Sequence, residues 1–296
     1  MISDTKLVSA FTDEAGTRGF VRKLTDSIDH EVSLLCSLLI PRHHVDCVRG
    51  LFRTPYDKFC KAAPSGAKVH ITDAFKQGND PWRVVAEQVR DEIFKIMRDH
   101  GVFLTYSARR IKVSRERHEL LSKLKEDAKA AKRSDFVVKN SNRPSMTHVD
   151  DDVMVALALM ADEFAAQFKM QRVDFFFDEI DPSVADRYRA AILTTQRTEH
   201  FKEGIEARNR VTGEKAEATI RFSAPKGMST KHLGSIVVAG KDDPIIFAAD
   251  VVTNSLWRHL QSLPDTMPLN TQSSVDGWLV PELTFVDQGD SVFDRI

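Results

Sequence analysis

Cysteine is scarce: Cys36, Cys47 and Cys60 are the only three in 296 residues. An odd and small number in a chain of this length argues against a disulfide framework and for a reducing compartment. Long apolar runs are missing as well. The most hydrophobic stretches are broken by charge well before the roughly 20 residues that a membrane helix needs, and the N-terminus, Met-Ile-Ser-Asp-Thr-Lys, is polar. Neither a span nor an export signal is therefore expected, and a cytoplasmic location is the reading. No charge sign dominates, since 42 Lys plus Arg against 43 Asp plus Glu leave a formal charge of -1. Any nucleic-acid affinity has to come from a local patch. No G-x-x-x-x-G-K-[ST] loop occurs, and Ala224-Pro225-Lys226-Gly227 is not one, so the string ending in Asp178-Glu179 is not the acidic strand of a phosphate-loop ATPase. His43, His44 and Cys47 lack a second ligand pair at finger spacing, and a helix surface accounts for them better than zinc does.

What is present suffices for one large domain, with 42% of the residues hydrophobic. Residues 7–12 and 32–40 read as strands around a turn, and 42–60 as an amphipathic helix. Asp80-Pro81 supplies an N-cap and first-turn proline for a helix to about His100, which Gly101 ends, and 102–106 is a further strand. Ser114 caps a charged helix to about Lys132; the stretch 134–147 is polar and broken by Pro144. Residues 150–168 carry Val153, Leu157, Met160, Phe164 and Phe168 at helical spacing, as a buried element or a dimer surface. A strand at 173–177, a helix at 182–193, a strand at 218–222 in otherwise irregular chain and a strand at 236–238 follow. The apolar run 245–249 ends in Asp250, where a helix to Ser262 begins. Residues 263–296 read as an acidic tail lying across the surface, and no internal repeat is found.

Charge is uneven along the chain. Residues 109–143 hold 12 Lys plus Arg against 5 Asp plus Glu, whereas 242–296 hold 2 against 9. The basic stretch is either a solvated face or a phosphate-backbone surface, and salt-dependent binding separates the two.

Three apolar runs deliver an acid at their ends: Asp13 with Glu14, Asp178 with Glu179, and Asp250 at the mouth of a helix. Each alone reads as a turn former or cap. As a set they read differently, because neighbouring strands lie about 4.8 Å apart and acids at the same end of such strands reach a common ion. Hard oxygen ligands suit magnesium or manganese.

The pattern resembles a large bacterial family of the ribonuclease H-like group, known mainly as a domain of unknown function and marked by an N-terminal strand ending in Asp-Glu-Ser-Gly. Here that motif reads Phe11-Thr12-Asp13-Glu14-Ala15-Gly16; the others are Lys68-Val69-His70-Ile71-Thr72-Asp73, the strand 173–178, and Ile246-Phe247-Ala248-Ala249-Asp250-Val251, with Asp242 and Asp243 just before. The resemblance spans residues 7–262. It implies an α/β, ribonuclease H-like mixed sheet flanked by helices, with a basic helical insertion at about 114–170, and a divalent-metal-dependent nuclease. Asp13, Asp178 and Asp250 are then the metal-holding and catalytic acids, with Glu14, Asp73 and Glu179 as further ligands and His70 as a catalytic proton carrier or phosphate-orienting group. Lys68, Arg109, Arg110 and Lys112 are the candidates for steering a nucleic-acid backbone. Ser of the first motif is Ala15, the Gln of the last is missing, and the family's Glu of the second is Lys68. That lysine motivates a second reading, a catalytically degenerate nucleic-acid-binding or protein-interaction module. A third is a metal-dependent hydrolase of small phosphorylated compounds. A homo-oligomer through the 150–168 helix, or a defence-system partner protein, completes the expected partners.

Overall fold

The computed structural model describes residues 3–16, 31–76, 78–112, 136–141, 149–197, 200–209, 211–213, 215–223, 231–240, 242–276 and 278. The first half of the chain holds β1 (Leu7–Gly16), β2 (Val32–Pro41), α1 (Val45–Ala62), the single turn α2 (Ile71–Ala74), α3 (Asp80–Asp99), β3 (Phe103–Arg110) and β4 (Phe136–Ser141). The second holds α4 (Val149–Gln167), β5 (Arg172–Phe177), α5 (Pro182–Arg197), β6 (His200–Asn209), β7 (Lys215–Ser223), β8 (Leu233–Val238), α6 (Pro244–Ser262) and the short α7 (Gln272–Val275). Five strands form a mixed sheet in the order β3-β2-β1-β5-β8, with β2 antiparallel to both β1 and β3, and β5 and β8 parallel to β1. A separate antiparallel sheet has the order β4-β6-β7. The α/β class and the helix-flanked mixed sheet match the expectation.

Strand alternation explains the layering. Phe11, Leu34, Cys36 and Leu38 face a core shared with α1, α3 and α6, whereas Val8, Ala10, Leu35 and Leu39 face one shared with α4 and α5. Central strands buried on both sides read as continuous apolar runs, as β2 does. Of the two readings of residues 150–168, the buried element holds: Val153, Met154, Leu157, Ala161 and Phe164 of α4 pack into the second core. Among the described residues no helix is long and apolar enough to cross a membrane.

Four departures from the sequence reading have physical causes. The apolar run 245–249 is the opening of α6, not a strand: Asp243 accepts a hydrogen bond from the Ile245 amide at 2.9 Å and Pro244 fills the first turn, a start signal that outweighs a five-residue apolar run. Asp250 thus lies in the helix interior. Residues 136–141 and 200–223 contain three strands where one was expected, because their polar and charged residues hide the alternation. β3 continues to Arg110. Part of the C-terminal segment is anchored: Leu269, Asn270, Val275 and Trp278 are buried. The Asn270 side chain accepts from the Ala108 amide at 2.7 Å and donates to the Ala108 carbonyl at 2.9 Å, satisfying one residue on the outer edge of β3. The charged helix expected at 114–132 lies outside the described residues.

Candidate functional site

Register and parity bring Asp13 and Asp178 together. β1 and β5 run parallel with Phe11 opposite Phe176 and Thr12 opposite Phe177, so the next residues are Asp13 and Asp178. The Phe11 and Phe176 rings stack with centroids 5.1 Å apart on the α6 side of the sheet. Two residues further along each strand, on the same face, stand the two acids. Asp250 comes from α6, which packs across that face and accepts a hydrogen bond from the Ile71 amide of α2 at 2.9 Å. Asp178 and Asp250 thus both lie near enough to Asp13 to act on its charge.

The convergence is visible in the acid-base chemistry. The Asp13 carboxyl is pushed well above the usual carboxylate range, first by burial, then by the charges of Asp250, Glu14 and Asp178, against a lowering contact with the Glu14 backbone. Behind it, paired across from β2, Cys36 is fully buried, and burial pushes its thiol up, against a lowering contact with Thr253 and with a further rise from the Asp13 charge. In front of it is a cleft of about 470 Å³ lined by Asp13, Glu14, Glu31 and Asp250, with Thr72, Asn254, Trp257 and Gln261. No basic side chain is among these lining residues.

Gly16 shapes the mouth of the cleft. Its φ of +88° suits glycine, and a Cβ there would overlap the Val32 carbonyl oxygen and crowd Trp257 Nε1 to 2.6 Å. The space is used by the indole, which donates to that same carbonyl at 2.9 Å. The glycine of the Asp-Glu-Ala-Gly string thus lets α6 close down on the end of β1.

His70, the residue before α2, places Nδ1 3.6 Å from Asp250 Oδ2. Its basicity is raised first by the polar contact with Asp250, opposed by partial burial, and further by the charges of Asp250, Asp178 and Asp73. A raised imidazole beside an acid can hold a proton near neutral pH and release it locally.

The remaining expected residues divide. Glu14 lines the cleft and acts on Asp13. Asp73 acts on His70 but is ion-paired to Lys76 at 2.5 Å, and Glu179 is exposed, its amide donating to Asp178 Oδ1 at 2.7 Å. Lys68 is exposed two residues before His70. Arg109 and Arg110 end β3 at the same end of the sheet as Asp13, two strands away. Arg109 is bound to Asp152 of α4 at 2.7 Å. Arg110 is a correction: only 7% exposed, it donates to the Leu263 and Pro264 carbonyls and pairs with Asp265 at 3.2 Å, so it fastens the C-terminal segment and has no free face for a nucleic-acid backbone. Lys112 is half-buried just past β3. Glu31 and Asn254 line the cleft without a motif to announce them; only the folded packing of β2 and α6 brings them there.

Asp13 and Asp250 line the cleft and Asp178 is not among its lining residues. Among the described residues no group of three His, Cys, Asp or Glu side chains stands close enough to hold an ion without side-chain movement. The donor set nevertheless fits a hard divalent cation in its chemistry: its charged groups are carboxylates only, one of them pushed up by burial and by the charges of its neighbours. Comparison with protein-family models, with curated proteins and with solved structures finds no match to this chain.

Proposed function

We propose that the protein is a divalent-metal-dependent phosphodiester hydrolase, a nuclease of the ribonuclease H-like group, with its centre at Asp13, Asp178 and Asp250. The observation that carries this reading is the cleft whose charged lining is entirely carboxylate, with Asp13 at its base held far from its ordinary ionisation. Such a set gains stability from a cation that it cannot gain from its own residues. The strand order supports the same reading, with Asp13 on the central strand, Asp178 just past the end of its parallel neighbour and Asp250 on the helix packed across β1 and β2.

Asp13, Asp178 and Asp250 would hold magnesium or manganese, with Glu14 and Glu31 at the rim. When bound, the cation supplies neutralisation of the phosphate charge and a more acidic attacking water. The chain's own contribution is positional. Asp13 is fixed by the β1 register and Asp250 by the Ile71 amide. His70, with Nδ1 3.6 Å from Asp250 Oδ2 and its basicity raised, would be the group that passes a proton to a leaving oxygen.

The test is a manganese titration of the whole protein by calorimetry, paired with cleavage of single- and double-stranded DNA and RNA in magnesium or manganese. Asp13→Asn is expected to abolish both the binding heat and cleavage, with a loss of more than about a hundredfold, while the far-UV spectrum stays unchanged. Cleavage by that variant at the wild-type rate sinks the scheme. A binding module without catalysis is the second reading, favoured by the open spacing of the acids and by Lys68. It is distinguished by strand binding with no cleavage in any metal.

A further inference from the structure

Next to the acidic cleft lies a cavity of opposite character. About 340 Å³ in volume, it is lined by Arg90 of α3, by Asn254, Arg258 and His259 of α6, and by Phe75 and Trp278. The two spaces adjoin: Asn254 lines both, and Ile71 of the second is followed by Thr72 of the first. Arg258 has no acidic partner among the described residues. Its guanidinium lies over the Phe75 ring at 4.2 Å, and Arg83 approaches the same ring at 5.8 Å. Partial burial and the like charges of Arg83 and Arg90 make Arg258 easier to deprotonate than a free arginine. Arg83 and Arg90 each have an acid of their own, Glu87 at 3.2 Å and Asp91 at 2.9 Å. Arginines from two helices thus converge on one largely apolar-walled space, one of them without an acid among the described residues, an arrangement that an anion relieves.

We propose that this cavity is a second phosphate subsite, in which Arg258 and Arg90 hold a backbone phosphate of the same nucleic-acid strand whose scissile phosphate would occupy the acidic cleft. The inference rests on the proposed function for the identity of the strand. Asp250, Asn254 and Arg258 follow one another at intervals of four residues along α6, so Arg258 lies about 12 Å along the helix axis from Asp250. That separation suits a phosphate other than the one being cleaved. A guanidinium steadied over Phe75 keeps its edge N–H groups for a ligand, and their fork geometry matches two phosphate oxygens.

The experiment measures binding of a short fluorescent single-stranded oligonucleotide to the full chain in chelator, across a range of salt, with inorganic phosphate as competitor. Arg258→Gln and Arg90→Gln are each expected to weaken strand binding about fivefold at ~0.1 M salt and to reduce the salt slope by roughly 0.7, the value of one phosphate contact on a single strand. Arg98→Gln, an exposed position of α3 outside the cavity, is expected to match wild type. Unchanged affinity and slope in Arg258→Gln overturn the proposal, as does an Arg258-dependent affinity for inorganic phosphate with no such dependence for the strand. Manganese calorimetry on the same variants separates this from the metal reading: strand binding lost in Arg258→Gln with no manganese binding in wild type leaves the subsite and removes the metal centre.

Discussion

Two ends of one sheet face treat their aspartates in opposite ways. Asp174 lies on β5 and Asp178 directly after its end, four residues on and of the same parity; Asp174 lies opposite Ser9, while Asp178 follows the register that leads to Asp13. Asp174 is 3% exposed, and burial alone would push its carboxyl up. The Ser235 amide and hydroxyl, each donating at 2.8 Å, and Arg172 at 2.7 Å more than offset that, so its carboxyl is held below the usual range. Arg42 adds a longer contact at 3.8 Å. At the other end Asp13 meets Asp250, Glu14 and Asp178 and is pushed up. A buried acid surrounded by donors is a structural fastener; one surrounded by acids awaits something from outside.

The strongest way to break the contrast is at the matched end. Gly234→Ala would overlap Asp174 Oδ1 and crowd Arg172 Nε at 2.6 Å, and is expected to destabilise by about 3 kcal/mol in urea melts. Asp174→Ala leaves the Ser235 amide without its acceptor and is expected to cost about 2 kcal/mol by the same measurement. A stability equal to wild type in both would show that this end fastens nothing. At the unmatched end the sign reverses. In chelator at neutral pH, Asp13→Asn is expected to stabilise by about 1 kcal/mol, because it removes a charge its neighbours repel. Manganese is expected to raise the melting temperature of wild type and not that of Asp13→Asn.

The smallest effect is in pH. Asp174, depressed when folded, contributes stability that is present above its unfolded value near ~3.9 and is lost as pH falls through the lower folded value. Asp13, raised when folded, contributes most below that unfolded value, and its contribution is lost as pH rises from about 4 through the raised folded value. Melting curves in chelator should therefore show the wild-type deficit relative to Asp13→Asn growing from about pH 4 upward. They should show the wild-type advantage over Asp174→Asn shrinking as pH falls below it. Parallel curves for both pairs would mean that the two ends are electrostatically alike.

Much of this contrast was legible in the chain and part was not. Val173 to Phe177 could be placed as a buried strand, and so could the first two strands, because burial on both faces leaves continuous apolar runs. The expected approach of Asp13 to Asp178 followed from adjacent strands ending together. Asp250 was expected at the mouth of a helix, whereas it lies inside one, since five apolar residues carry no period that distinguishes helix from strand. Arg110 looked like a free cation because a sequence does not show that its neighbours would be the Leu263 and Pro264 carbonyls. Arg90 and Arg258 lie on helices far apart in the chain, and only the packing of α3 beside α6 makes them one site.

The hold of Asn270 on Ala108 carries a further consequence. Its carboxamide imitates one rung of a neighbouring strand, and Tyr106 Oη reinforces the clasp by donating to the Leu269 carbonyl at 2.9 Å. Removing residues 269–278 would bare the Ala108 amide and carbonyl on the outer edge of β3 and uncover the Tyr106 hydroxyl. A shortened protein should then self-associate through that margin, so this small clasp also guards solubility.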